Sequence, residues 1–173
     1  MRNLLKFIVV FLLTVTAVSA NAQTLKFGHI DLQALVQVMP ERATAETQFN
    51  AFQGEVEEVF NGMQKELQQK YGELEQLGDS VSEIKRNAKI TEVQDLQQRL
   101  QNYQTSAQQQ IQQKYSELLK PVFDKATKAI EEVATEKGLI YVFDTPAGGS
   151  TVLYKSNQSL DLLPLVKQKL GIQ

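Results

Sequence analysis

The chain contains no cysteine and no tryptophan, and it has one histidine, His29. The absence of cysteine excludes disulfide bonds, thiol catalysis and thiolate metal sites together. His29 falls in a short β-like segment, where a structural role is far more common than a catalytic one. The remaining sequence offers no nucleophile, metal-ligand set or glycine-rich phosphate loop.

Paired carboxylates are the one remaining pattern for acid–base chemistry. Asp31, Asp144 and Asp161 come from segments near the two ends of the chain. Aspartates at such positions more often cap helices or strand ends than catalyse a reaction. We therefore expect a protein that is not an enzyme and that uses no cofactor or metal.

An excess of positive charge is also missing. The chain has 18 Lys and Arg against 20 Asp and Glu, a net charge of −2. Residues 1–22 hold two of the basic residues and no acidic one. Residues 23–173 therefore hold 16 basic and 20 acidic residues, a net charge of −4. This balance gives no indication of nucleic-acid binding.

Residues 1–22 have the layout of a secretory signal peptide. Arg2 and Lys6 precede an apolar run over residues 7–18, which ends before the small-residue triplet at 20–22. That run is short for a membrane span of about 20 residues. We expect export to the periplasm and cleavage after Ala22, with an uncleaved N-terminal anchor as the alternative.

A long helix is predicted from Pro40 onward. Proline suits the first turn of a helix, and Glu41 lies near its positive end. Apolar side chains recur at an average step of about 3.6 residues, the period of an α-helix. They are Phe49, Phe52, Val56, Phe60, Met63, Leu67, Tyr71 and Leu74. Gly54, Gly62 and Gly72 each weaken this helix by roughly 1 kcal/mol relative to alanine, so it should be flexible.

Residues 94–115 include ten glutamines, which could form a disordered tract or the polar face of a helix. The apolar and small residues keep a helical phase, and glutamine is a good helix former. They are Leu96, Leu100, Tyr103, Ala107, Ile111, Tyr115 and Leu118. We predict a return helix that is kinked at Pro121 and ends at Gly138.

The two helices define an arm, residues 40–137, whose tip lies near residues 78–90. The chain ends differ in character, because residues 25–31 read as a strand and residues 138–154 as strand, turn and strand. A short helix is predicted in 160–170. The body formed by residues 23–39 and 138–173 is too small to be stable alone, which predicts oligomerisation.

The predicted fold class is therefore α+β, mainly α, with a long antiparallel helical hairpin attached to a small β-rich oligomerisation body. In this predicted architecture and in its motifs, the chain resembles the Skp/OmpH family of periplasmic chaperones. The resemblance rests on FGHIDLQALVQVMPE before the arm and on GLIYVFDTPAGG, VLY and LDLLPLVKQKL after it.

The resemblance implies a homotrimer whose helical tentacles surround a cavity that holds unfolded outer-membrane proteins. It implies an ATP-independent holdase that prevents aggregation before membrane assembly. The residues expected in the trimer body are Phe27, Ile30, Leu139, Tyr141, Val142, Phe143, Val152 and Leu153.

This chain departs from the best-known members of the family, which are strongly basic, because its pI is about 5.5. Lys85, Arg86 and Lys89 form a small basic cluster near the predicted tip, which could make a weak contact with a membrane surface. The alternative is that this cluster is a solvated helix end.

The aromatic stripe of the arm also has two interpretations, a seam between the helices or a surface that contacts clients. The residues concerned are Phe49, Phe52, Phe60, Met63, Tyr71, Tyr103 and Tyr115. Two functions remain open, a holdase chaperone and a structural coiled-coil spacer or scaffold of the cell envelope. The three glycines and the proline favour arms that can splay, as a holdase requires.

Overall fold

The computed structural model describes residues 26–78, 80–149 and 151–172, so the predicted signal peptide lies outside the described residues. These described residues are mostly helical, with one small parallel sheet. The elements are β1 (Phe27–Ile30), α1 (Leu32–Val38), α2 (Pro40–Glu75), α3 (Glu83–Lys137), β2 (Tyr141–Asp144), β3 (Leu160–Asp161) and α4 (Leu163–Lys169). No helix in the described ranges is both long and apolar enough to cross a membrane.

The sheet has the strand order β2-β1-β3, and both of its strand pairs are parallel. Phe27 lies opposite Tyr141, and Gly28 lies opposite Leu160. Parallel neighbours need a long crossover, and here the helices supply the connection between β1 and β2.

The second predicted strand at residues 151–154 is wrong, because this segment forms no strand. The third strand is instead β3, which pairs with the free edge of β1. Leu153 is fully exposed to solvent. Among the described residues, this β-like segment joins none of the strands of the sheet.

The two long helices begin and end at residues suited to those positions. Pro40 lies in the first turn of α2, where its missing N–H has no partner to lose. α3 is 55 residues long and contains Pro121 in its interior. Gly138 follows its last residue in the left-handed conformation, with φ of 65°. Residues 76–82 connect the two helices.

Contacts between α2 and α3 occur along most of α2, and we call these two helices the helix pair. Glu73, near the end of α2, contacts Lys89 near the start of α3. Glu41, at the start of α2, contacts Lys125 far along α3. The contact partners therefore run in opposite order along the two helices.

The hydrophobic core lies where the helix pair meets the sheet. Its buried residues are Ile30, Leu35, Val36, Met39, Ala45, Val122, Ala126, Ala129, Val133, Leu162 and Val166. Gly28 permits the close approach of the sheet to this core. A Cβ at that position would lie 2.5 Å from Leu162 Cδ1 and 2.7 Å from Leu139 Cδ1.

Candidate functional site

Three aromatic side chains of the sheet form an exposed group, which we call the body aromatic cluster: Phe27, Tyr141 and Phe143. Phe27 stacks on Tyr141 with 6.4 Å between ring centroids and on Phe143 with 6.2 Å. Tyr141 remains 63% exposed. Contiguous apolar surface of this kind marks interaction sites in soluble proteins.

The other residues expected in the trimer body lie at different depths. Ile30 is buried, whereas Leu139, Val142 and Val152 are half-buried. Leu153 is fully exposed, and the neighbouring Tyr154 is 82% exposed. The fold therefore uses Ile30 inside one chain and leaves Leu153 available on the surface.

A cavity of about 800 Å³ lies beside the body aromatic cluster. Phe27 and Phe143 contribute to its lining, together with Lys26, Lys137 and Lys155. His29 also lines it, and its Nδ1 lies 2.9 Å from the hydroxyl of Ser159. This buried histidine thus has a hydrogen-bond partner, as a structural residue requires.

The three aspartates bind backbone amides near the starts of helices. Asp31 accepts from the Ala34 N–H at 2.8 Å, and Asp161 accepts from the Leu163 N–H at 3.0 Å. Asp144 accepts from the backbone N–H of Leu32 at 3.1 Å. No group of three or more potential ligands among the described residues is arranged to hold a metal ion.

The aromatic stripe lies along the helix pair and is only partly covered. Phe49 and Tyr115 meet edge to face at 5.0 Å, and the Tyr103 hydroxyl donates to the Val56 carbonyl at 3.1 Å. Phe52 lies 5.7 Å below the Lys114 ammonium.

The remaining residues of the stripe show the same partial burial. Phe49, Phe52, Phe60, Met63 and Tyr103 are half-buried. Tyr71 and Tyr115 are 40% and 44% exposed, and Tyr71 bonds to Gln97. The stripe packs the two helices together and still presents surface to solvent.

A groove of about 660 Å³ opens midway along the stripe, and we call it the helix-pair groove. Its lining comes from both helices: Gln53, Val56, Glu57, Phe60, Tyr103, Gln104, Ala107, Gln108 and Ile111. The sequence pattern predicted the apolar members of this set. The polar members lie beside the apolar stripe, and periodicity alone did not single them out.

The basic residues predicted at the tip are largely bound within the protein. Lys89 lies 2.9 Å from both Glu73 and Glu92. Arg86 donates from Nη2 to the Gly78 carbonyl at 3.2 Å. The side chain of Lys85 is exposed and forms no hydrogen bond or ion pair in the described part of the chain.

Lys70 completes a ring of four ion pairs, because it also contacts Glu73 at 3.2 Å and Glu92 at 3.6 Å. Hydrogen bonds from Lys89 and then Lys70 lower the pKa of Glu73. The hydrogen bond from Lys89 lowers the pKa of Glu92, and the bonds to Glu73 and Glu92 raise the pKa of Lys89. The ring links the ends of α2 and α3 beside their connection.

The comparisons with known proteins agree with this architecture. The profile of the family described as outer membrane protein (OmpH-like) matches residues 26–170. The chain is also similar to an uncharacterized protein of Aquifex aeolicus (strain VF5), with 28% identity over 139 residues. That match covers 78% of this chain and 82% of the relative. The predicted resemblance is thus confirmed, and the chain belongs to the OmpH-like family, a family of periplasmic chaperones.

Proposed function

We propose that this protein is an ATP-independent periplasmic holdase that encloses unfolded outer-membrane β-barrel proteins and prevents their aggregation before membrane assembly. The helix pair is the observation that carries the proposal. α2 has 36 residues and is therefore about 54 Å long, and α3 is longer still. Such a helix pair acts as an antiparallel hairpin arm, with partly exposed aromatic side chains along its length.

The body aromatic cluster supports a homotrimer built through residues 23–39 and 138–173. A single chain leaves Phe27, Tyr141 and Phe143 on its surface, and it leaves Leu153 fully exposed. Association of three copies would remove this apolar area from water, which is the dominant favourable contribution to assembly. The mature protein would begin at Gln23 after export.

Client release requires no nucleotide in this proposal. Many weak contacts hold an unfolded chain, and they are lost together when the client folds at its membrane assembly site. Unpaired strands of the client are prevented from pairing with one another while they are held. A membrane contact at the tip would depend mainly on Lys85, because Arg86 and Lys89 are bound within the protein.

The alternative function is a coiled-coil spacer or scaffold of the cell envelope. A spacer benefits from stiff helices, whereas α2 contains three glycines, at positions 54, 62 and 72. The two functions differ in what they do to an unfolded client. Dilution of a urea-unfolded barrel protein into buffer distinguishes them directly.

We expect the purified protein, added at about one trimer per client, to suppress the turbidity that appears on dilution. Lipid vesicles added afterwards should recover folded barrel protein, because a holdase leaves its client able to fold. The control is the same dilution with an equal mass of an unrelated helical protein. Unchanged turbidity in the presence of this protein would exclude the holdase and favour the spacer.

We expect Leu153→Asp to convert the trimer to monomers. The side chain is fully exposed in one chain, so aspartate leaves the fold of the monomer intact, whereas an unpaired charge in an interface is costly. The matched control is Ile84→Asp, because Ile84 is 83% exposed and lies in the arm. Light scattering gives the mass of each variant. A Leu153→Asp variant that remains trimeric would place the interface elsewhere.

A further inference from the structure

The helix-pair groove combines an apolar floor with polar rims. Val56, Phe60 and Ile111 are half-buried in the floor, and Ala107 is buried. The small side chain of Ala107 leaves room between the larger floor residues. A groove with these walls accepts an apolar side chain of an incoming segment.

The rims carry exposed side chains from both helices. Gln53 and Glu57 lie one turn apart on α2, and Gln104 and Gln108 lie one turn apart on α3. The three glutamine amides form no hydrogen bond within the described part of the chain. Each amide can donate and accept at once, which is also the requirement of an unfolded peptide backbone.

The charge of the groove limits what can enter. Its lining includes one carboxylate, Glu57, and no lysine or arginine. Electrostatic attraction therefore contributes nothing to the capture of an acidic segment, and Glu57 repels one. The groove matches an uncharged, extended segment better than a charged one.

We infer that the helix-pair groove binds extended, uncharged segments of unfolded client chains, with an apolar side chain in the groove and the backbone on the glutamine amides. This inference rests on the proposed holdase function and specifies its client-contact site. Recognition through the backbone does not depend on the order of client side chains, as a chaperone with many clients requires. The glutamine-rich composition of α3 thus serves binding as well as helix formation.

The test compares two double variants with the same composition. Gln104→Ala/Gln108→Ala removes two rim amides, and Gln109→Ala/Gln112→Ala removes two exposed amides of α3 that do not line the groove. Both replace glutamine with alanine in the same helix, so their helix propensities change equally. The probe is an uncharged peptide of alternating Val and Thr that carries a neutral coumarin label, and it is compared with an aspartate-containing peptide of equal length that carries the same label.

We expect the rim variant to bind the uncharged peptide roughly five- to tenfold more weakly, as the loss of two hydrogen bonds implies. The control variant should bind it as the unmodified protein does. Binding should change by less than about twofold between 50 and 500 mM salt, since no counterion is released. The aspartate-containing peptide should bind more weakly than the uncharged one.

Three binding results and one mass measurement would overturn the inference. The binding results are equal affinities of the two double variants, a steep loss of affinity with salt, and a preference for the acidic peptide.

Turbidity suppression by the unmodified protein is measured in parallel. If the unmodified protein suppresses aggregation while both variants bind equally, the groove is wrong and the holdase stands. If it suppresses nothing, the proposed function itself fails. A changed mass of the rim variant in light scattering would show that the groove seats a second copy instead.

Discussion

Replacing Leu35 with alanine should lower the free energy of unfolding by about 2–5 kcal/mol. The side chain is fully buried in α1, and it belongs to the core cluster that joins the sheet to the base of the helix pair. Removal of three methylene-sized groups leaves a cavity that a close-packed interior fills only in part. The body is small, so this loss is a large fraction of its stability.

Val38→Ala is the matched control, because Val38 lies in the same helix and is 47% exposed. Its effect should stay within roughly 0.5 kcal/mol, as is usual at the surface. Urea unfolding followed by circular dichroism gives both values, at one fixed protein concentration, since assembly contributes to apparent stability. Equal effects of the two substitutions would show that α1 does not pack into the core as described.

Replacement of Gly54, Gly62 and Gly72 by alanine should stabilise the helix pair. A Cβ at each of these positions meets no other heavy atom within 4 Å. Alanine is favoured over glycine in a helix interior by roughly 0.5–1 kcal/mol per residue, so the triple variant should gain roughly 1.5–3 kcal/mol in its free energy of unfolding. The same change should stiffen the arm and weaken the capture of large clients.

Ala51→Gly is the control in the opposite direction. Ala51 is an exposed residue of α2, and replacing it with glycine removes a methyl group and makes the helix more flexible. Capture is compared for a small and a large unfolded barrel protein, with the midpoint of thermal unfolding as the stability measure. A stabilised triple variant that holds both clients equally well would exclude the flexible-arm mechanism. The chaperone function would survive that result.

The acidic composition of this chain finds a physical explanation in its contacts. Lys70 and Lys89 form ion pairs with Glu73 and Glu92, so these two lysines are less available to an anionic partner. A chaperone that contacts clients through amides and apolar side chains needs no net positive charge. Under the proposed function, the departure from the basic members of the family would concern how a client is held.

Local features of the sequence were sufficient to predict the long helices and the first two strands. The 3.6-residue period, the proline at position 40 and the glycine at 138 each act over only a few residues of the chain, and the structure places helix boundaries beside Pro40 and Gly138. Family membership was equally predictable, because motifs in the same order precede and follow the helices. Such local features can be read without knowing which distant segments of the chain contact each other.

Tertiary structure decided the features that depend on distant segments. In the part of the chain that the structure describes, the β-like sequence at 151–154 joins no strand, whereas residues 160–161 pair with the free edge of β1. Several segments have a similar β-propensity, and pairing with β1 decides which of them becomes a strand. β-Propensity by itself does not identify the segment that pairs. The rims of the helix-pair groove likewise combine residues about fifty positions apart, such as Gln53 and Gln104. Their proximity follows from the relative position of the two helices, which helical periodicity alone does not define.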